Sequence, residues 1–208
     1  MNLLILGATG GVGLELVRQS VDRGHAVTAF VRTPERLQAF ANRIRIVEGD
    51  PLNATALTQA LHGQDAVLSG FGPRVPVAKG DEDLLERFAF ALTRAMAASR
   101  VKRAIVVSTA FLFKDALLPP AHLVGRLFFS SVVKDTTAME AIVAQSPLDW
   151  TLVRPPQLID KPLTGKYRVR EGHLPTFGFN ISRANVADCM IQIAEKHSFS
   201  RKVVGVSR

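Results

Sequence analysis

The sequence predicts a single α/β domain built on a doubly wound parallel sheet. Along its 208 residues, short and almost entirely apolar runs alternate with longer amphipathic segments. Solidly apolar runs are typical of parallel strands that are covered on both faces. Hydrophobic residues make up 47% of the chain and charged residues 21%, which excludes a disordered or a disulfide-dense protein. Sequential β–α units joined by right-handed crossovers give this architecture.

The first two thirds of the chain carry this alternation most clearly. Gly24 predicts the end of the first helix, because glycine is favoured just after a helix C-terminus. Pro34 suits the first position of the second helix, with Thr33 before it as the capping residue. The predicted strands are Leu3–Leu6, Ala26–Val31, Ile44–Val47, Ala66–Ser69, Ala104–Ser108 and Trp150–Val153. The predicted helices are Val12–Arg23, Pro34–Ala41, Ala54–Leu61, Asp81–Ser99 and Val132–Gln145.

The alternation breaks after Val153. The stretch 154–182 is rich in proline and glycine and predicts a loop-rich region that caps the site, with one strand around Tyr167–Val169. A helix over Arg183–Lys196 and a last strand over Lys202–Val206 follow. We therefore expect residues 1–208 to form one domain with a small C-terminal capping region.

A glycine-rich turn joins the first strand to the first helix. Gly7 permits the tight turn, Gly10 leaves room for a pyrophosphate, and Gly13 lets the helix pack closely on the strand. The free N–H groups at the helix N-terminus then face the anion. This context predicts a dinucleotide site, and a purely structural turn is the alternative. The residues predicted to bind the cofactor here are Gly7, Thr9, Gly10, Gly11, Val12 and Gly13.

The residue after the second strand predicts the choice of cofactor. An NAD site usually has Asp or Glu here to bind the ribose hydroxyls, but this chain has Arg32. A guanidinium suits the 2′-phosphate of NADP(H). The alternative is a solvated surface arginine.

Charge and composition set expectations for location and partners. The net charge of +8 comes from scattered arginines, which favours a solvated basic surface over nucleic-acid binding. Cys189 is the one cysteine and cannot form an internal disulfide, so a reducing cytoplasm fits best. No apolar run approaches the roughly 18 residues that span a bilayer, and the N-terminus lacks a signal pattern. We expect a cytoplasmic monomer or homodimer that binds small molecules, with no metal, membrane or nucleic acid.

Five segments together resemble the atypical short-chain dehydrogenases/reductases, in their NAD(P)-binding, NmrA-like group near the flavin reductase and biliverdin reductase B type. They are GATGGVG, VRTPERL, EGDPLNATALTQALHGQDAVLSGFGP, SPLDWTLVRPPQL and ISRANVADCM. The resemblance implies a Rossmann-type fold and four cofactor-binding strand ends. It implies that Asp50, Pro51 and Leu52 lie by the adenine, and that Gly70, Phe71 and Gly72 lie under the ribose and phosphates. It also implies Ser108 and Thr109 beside the nicotinamide, with Pro155, Pro156 and Gln157 closing over it.

The last of these segments departs from its relatives, because Asn185 stands where they often carry an acid. We interpret the segment as structural. Ser182 is expected to cap the following helix, and Val186 and Met190 are expected to lie on its buried face.

The tyrosine of the family's usual Tyr-x-x-x-Lys pair is missing. The chain's one tyrosine, Tyr167, lies far from the expected place, and the matching lysine is expected to be Lys134, four residues after Ser130. Ser108, Thr109 and Lys134 remain as catalytic candidates, with Lys134 also expected at the ribose. The alternatives are an ordinary strand-end hydroxyl and a helix-surface lysine. His122 and His173 could relay protons, although each also fits a solvent-exposed loop.

Phenylalanines near the predicted strand ends suggest a flat aromatic pocket, for which Phe111, Phe113, Phe128 and Phe177 are the candidates. A small core cluster or a dimer surface is the alternative. Arg126, Arg168 and Arg170 could meet an anionic tail of the substrate. We expect an NADPH-dependent reductase that transfers hydride directly to a planar conjugated acceptor, such as a flavin or a quinone. A non-catalytic NADP(H) sensor and a cofactor-retaining isomerase or epimerase are the other possibilities.

Overall fold

A computed structural model describes residues 1–73, 80–113 and 130–208. The strands are β1 (Asn2–Leu6), β2 (Ala26–Val31), β3 (Arg45–Glu48), β4 (Ala66–Ser69), β5 (Arg103–Val107), β6 (Asp149–Arg154), β7 (Gln157–Ile159), β8 (Arg168–Glu171), β9 (Asn180–Ser182) and β10 (Lys202–Ser207). The helices are α1 (Gly11–Asp22), α2 (Ala54–Ala60), α3 (Leu84–Ala97), α4 (Ser130–Gln145) and α5 (Arg183–Glu195). Two 3-10 helices span Pro34–Phe40 and Ala110–Leu112.

The main sheet has eight strands in the order β3-β2-β1-β4-β5-β6-β10-β8. All neighbours pair in parallel except β10 and β8, which pair antiparallel at one edge. The chain order reverses between β1 and β4, because β2 and β3 lie on one side of β1 and the later strands lie on the other. Ligands of open α/β sheets bind at such a switch point, outside the carboxyl ends of the strands. The predicted Rossmann-type fold is confirmed, with one antiparallel edge strand.

Helices cover both faces of the sheet. Leu3 and Ile5 of β1 pack into the apolar cluster that includes α1 and α5. Leu4 and Leu6 alternate with them and pack into a second cluster with α2, α3 and α4. All four side chains are completely buried. This two-sided burial explains why β1 is a continuous apolar run, since a strand with one wet face would alternate.

The described elements match the predicted helices and strands closely, and these helices differ in two segments. The segment Pro34–Phe40 is a 3-10 helix, and the Thr33 side chain makes no capping hydrogen bond. The third helix begins at Leu84 and ends at Ala97, inside the predicted Asp81–Ser99. Gly24 has a φ of +80°, as the turn after α1 requires.

The capping region contains a small sheet that the sequence did not predict. Strands β7 and β9 pair in parallel, with Ile159 opposite Ser182. Each has three residues, too few to show a hydrophobic period. Ser182 caps α5 as expected, by accepting a hydrogen bond from the backbone N–H of Asn185. Val186 and Met190 are fully buried, also as expected.

Candidate dinucleotide site

The turn between β1 and α1 has a shape that only glycine allows at two positions. Gly7 has a φ of +71°, and a Cβ there would lie 2.6 Å from the Phe71 backbone nitrogen. A Cβ on Gly13 would collide with the carbonyl oxygen of Gly7. The turn is closed by the Gly10 N–H, which donates to the Gly7 carbonyl over 2.9 Å. The first turn of α1 therefore packs directly against the end of β1.

The N-terminus of α1 is suited to a phosphate group. Gly10 is the N-cap residue, no side chain caps the helix, and its first turn contains no acidic residue. The first backbone N–H groups of a helix have no partner within the helix and carry the positive end of its dipole. Gly10 and Gly11 are both exposed, so an anion can reach these groups. Val12 is buried in the core and can offer only its backbone. This cradle of small residues and unpaired N–H groups fits a diphosphate.

The ends of β2 and β3 place the predicted adenosine-binding residues. Arg32 follows β2 directly, is exposed, and makes no hydrogen bond to a described residue. The Asp50 carboxylate accepts from the Leu52 N–H over 3.0 Å and shapes the turn after β3. Glycine is required at position 49 before it because a Cβ there would collide with the buried Phe30 ring. Asp50 and Leu52 line a cleft of about 680 Å³ that also borders α2 and α3.

The exit of β4 forms the other wall of the glycine turn. A Cβ on Gly70 would lie 3.0 Å from the Gly13 backbone nitrogen, so the two segments touch through their backbones. The Phe71 ring packs on Phe88 of α3 with 4.6 Å between ring centroids. Gly72 is exposed. These three residues follow β4, beside the switch point between β1 and β4.

A buried polar cluster lies at the ends of β5 and β6. The Ser108 hydroxyl donates to a carboxylate oxygen of Glu140, which projects from α4. Arg154 at the end of β6 donates to both Glu140 oxygens, from Nε over 2.9 Å and from Nη2 over 2.5 Å. The Glu140 side chain is 9% exposed and that of Arg154 is 14% exposed. Because its one hydrogen goes to Glu140, the Ser108 hydroxyl can only accept from a ligand in this arrangement.

Other residues at this end of the sheet are tied together locally. The Thr109 hydroxyl accepts from the Phe111 N–H over 3.4 Å, which caps the short 3-10 helix. The Ala110 N–H donates to the Pro155 carbonyl over 2.9 Å, so the loop after β6 is anchored to the exit of β5. Phe113 lies beneath the Arg154 guanidinium at 4.6 Å from its ring centre. Phe113 is buried, so it supports this cluster from below and does not form an open wall of a pocket.

Lys134 does not join the cluster. Its side chain is exposed, and it makes no hydrogen bond or ion pair with a described residue. It precedes Glu140 by six positions, which turns it roughly 120° away from Glu140 around the helix. The residue one turn before Glu140 is Thr136, whose hydroxyl donates to the Val132 carbonyl. The expected role of Lys134 at the ribose stays a prediction.

The remaining predicted residues follow β5 in the sequence or belong to the capping region. Phe128, His122 and Arg126 fall outside the described residues. Pro156 precedes β7, and Gln157 is the first residue of that strand. Phe177 is 82% exposed and has a φ of +58°, which is unusual for a side chain of this size.

The one tyrosine belongs to a structural network. The Tyr167 hydroxyl donates to Asp188 of α5 over 2.6 Å, and Arg23 binds the other oxygen of that carboxylate. Burial, together with the hydrogen bond to Asp188, raises the pKa of Tyr167 far above its ordinary value. Arg23 follows the end of α1 that is remote from the glycine turn. Burial also raises the pKa of the Cys189 thiol to about 12, so this cysteine is not a nucleophile at neutral pH.

Comparison with known proteins agrees with this geometry. The profile of a family described as NAD(P)H-binding matches residues 7–197. The chain belongs to this NAD(P)H-binding family. The resemblance to this family is thereby confirmed, and the glycine turn at Gly7–Gly13 lies at the start of the matched region.

Similar proteins match the chain over almost its whole length. An uncharacterised chloroplastic protein of Arabidopsis thaliana is 29% identical over 98% of this chain and 75% of its own length. A Rossmann-fold NAD(P)-binding family protein from Shigella flexneri is 27% identical, with a TM-score of 0.74 over 100% of this chain and 93% of its own. A candidate NADH-flavin reductase from Streptococcus pneumoniae is 23% identical, with a TM-score of 0.81 over 100% and 99%. The last comparison shows a common fold.

Two features are absent from the described part of the chain. No helix within it is long and apolar enough to cross a membrane. No group of three or more acidic, histidine or cysteine side chains within the same residues could hold a metal ion.

Proposed function

We propose that the protein is an NADPH-dependent reductase of a planar conjugated acceptor, with a flavin or a quinone as the acceptor class. The observation that carries the proposal is the position of Tyr167, which is held by Asp188 and so is not available as an acid at the nicotinamide. Flavins and quinones accept hydride without a positioned phenol and take their proton from water. The structure of the candidate flavin reductase from Streptococcus pneumoniae supports this acceptor class.

The residues of this chain bind and orient the two reactants. The N–H groups of α1 hold the diphosphate, and the exposed guanidinium of Arg32 meets the 2′-phosphate. The Ser108 oxygen, with its hydrogen given to Glu140, accepts from the nicotinamide carboxamide. When bound, NADPH supplies one hydride, which with one proton from water reduces an oxidised flavin to its dihydro form.

The loop around Phe177 supplies the acceptor side. Phe177 and Phe179 are 82% and 66% exposed, although aromatic rings of this size are usually covered. The loop is anchored to the exit of β5, where Leu174 packs with Ala110 and Phe113. We infer that these rings stack on a flat acceptor. The strained backbone of Phe177 is consistent with a functional position.

The test follows the consumption of NADPH by absorbance, with FMN, riboflavin and a small quinone offered in turn and NADH run in parallel. We expect turnover with NADPH well above that with NADH. The variant Arg32→Ala should lose about tenfold in kcat/KM for NADPH and little for NADH, since a charge-assisted hydrogen bond contributes about 1.5–3 kcal/mol. Arg100→Ala is the matched control, because Arg100 is also exposed and unpaired among the described residues but precedes β5 at the opposite edge.

Two outcomes would contradict the proposal. Equal turnover with both cofactors, unchanged in Arg32→Ala, would overturn the preference for NADP(H). Tight NADPH binding without turnover of any acceptor would overturn the reductase and favour a non-catalytic NADP(H) sensor.

A further inference from the structure

The small sheet of the capping region brings two charged residues together. Ile159 of β7 lies opposite Ser182 of β9, and each strand is followed at once by a charged residue. These are Asp160 and Arg183, whose Oδ1 and Nη1 atoms are 2.6 Å apart. The Asp160 side chain is 88% exposed and that of Arg183 is 30% exposed. An ion pair open to water on one side contributes little to stability, so stability alone does not account for it.

The Arg183 side chain lies directly on the glycine turn. A Cβ on Gly11 would collide with the Arg183 Cδ atom and would lie 2.7 Å from its Nε atom. Gly11 is the first residue of α1, so the guanidinium group lies beside the N–H groups that form the phosphate cradle. The absence of a side chain at Gly11 thus leaves space for an arginine as well as for a ligand.

This position of Arg183 brings two positive groups together. The N-terminus of a helix carries partial positive charge, and a cation beside it is repelled. The first turn of α1 has no acidic residue to compensate, and Asp160 reaches Arg183 from the solvent side. A bound diphosphate would lie between the two positive groups and neutralise both.

We propose that Arg183 is a cofactor-binding residue that donates hydrogen bonds to the diphosphate, with Asp160 holding it over the glycine turn until the cofactor binds. The inference rests on the NAD(P)H binding assumed in the proposed function. It does not depend on the choice of NADP over NAD or on the acceptor. The diphosphate is common to both cofactors, whereas the 2′-phosphate is present only in NADP.

The test measures dissociation constants of NAD⁺ and NADP⁺ by isothermal titration calorimetry. Arg183→Ala should weaken both cofactors by the same factor of about ten, as expected for the loss of a charge-assisted hydrogen bond. Arg32→Ala should weaken NADP⁺ alone. Arg183→Lys keeps the charge without the planar fork, so its affinities should fall between those of the wild type and Arg183→Ala.

Two further variants separate binding from structure. Asp160→Asn should bind both cofactors at least as tightly as the wild type, because Arg183 is released toward the diphosphate. Arg43→Ala is the matched control, because Arg43 pairs with Asp22 over 3.0 Å at the opposite end of α1. It should bind both cofactors as the wild type does. Circular dichroism checks that each variant is folded, and Arg183→Lys provides the test if Arg183→Ala is not.

Three results would overturn the inference. Arg183→Ala could bind both cofactors with unchanged affinity. Asp160→Asn could weaken both as much as Arg183→Ala does, which would mean that the ion pair only shapes the loop. The wild-type protein could bind neither cofactor, in which case there would be no diphosphate for Arg183 to bind. If only Arg32→Ala changes the affinity for NADP⁺, the result supports the proposed cofactor preference and overturns the role of Arg183.

Discussion

At the scale of single residues, Glu140 is the centre of the buried polar cluster at the ends of β5 and β6. A carboxylate that is buried from water is costly unless it is paired and hydrogen-bonded. Glu140 satisfies this condition through Arg154, which binds both of its oxygens, and through the hydroxyl of Ser108. The same contacts determine the orientation of Ser108. One buried charge thereby connects the stability of this end of the sheet to the presentation of a hydrogen-bond acceptor.

Glu140→Gln should lower the free energy of unfolding by about 3 kcal/mol, because it leaves the Arg154 guanidinium without its counter-charge. Ser108→Ala should cost only about 1 kcal/mol in stability, the value of one hydrogen bond, yet lower kcat/KM for NADPH by about tenfold. Urea unfolding and the turnover assay measure the two effects.

Glu15→Gln is the control for Glu140→Gln. Glu15 pairs with Arg18 on the surface of α1, where the arginine side chain is 42% exposed. Its loss should therefore change stability by no more than about 0.5 kcal/mol. If Glu140→Gln is no less stable than Glu15→Gln, Glu140 does not hold the cluster together.

At the scale of elements, helix α3 is capped by a residue from another helix. Its own N-cap, Asp83, makes no side-chain capping bond and instead pairs with Arg87 in solvent. Asp135 of α4 replaces it, with its oxygens accepting from the N–H groups of Leu85 and Glu86 over 2.9 and 2.8 Å. Asp135 is buried, so these bonds join α3 and α4 where the two helices pack.

Asp135→Ala should lower the free energy of unfolding by about 2 kcal/mol, because two N–H groups of α3 lose their acceptor. Asp83→Ala should change it by no more than about 0.5 kcal/mol, since its carboxylate is 59% exposed and caps nothing. Urea unfolding of the two variants provides the comparison. A larger loss in Asp83→Ala would show that the local residue caps α3 in solution.

At the scale of the whole molecule, the two ends of the α1–α5 layer have different roles. The glycine turn and Arg183 lie where α1 begins, and Asp188 binds Arg23 just after α1 ends. A helix of 12 residues separates them by about 18 Å. Tyr167 belongs to the second end, so it supports helix packing at the end of α1 that is remote from the glycine turn.

Tyr167→Phe should keep the kcat of the wild type while losing about 1–2 kcal/mol of stability, since it removes one hydrogen bond to a charged group. Asp188 would keep its bonds to Arg23 and Gln192. Steady-state turnover and urea unfolding measure the two quantities. A folded but inactive Tyr167→Phe would contradict the tyrosine-free mechanism.

Strand ends could be predicted from the sequence, but side-chain neighbours could not. The exit of β5 was placed correctly at Ser108, because the apolar run ends there. Glu140 was missed, although a carboxylate on the buried face of an amphipathic helix is a signal that could have been used. Lys134 was chosen by motif spacing alone, which does not report the rotation of a helix.

The sequence by itself determined the alternation of strands and helices, the glycine turn and the position of Arg32 after β2. These depend on local properties: hydrophobic period, the φ of Gly7, and the end of an apolar run. Only the tertiary structure decided that Glu140 meets Ser108, that Asp135 caps α3, and that Arg183 lies on Gly11. The partners in these contacts are 32, 50 and 172 residues apart in the chain, and packing of the sheet and helices alone brings them together.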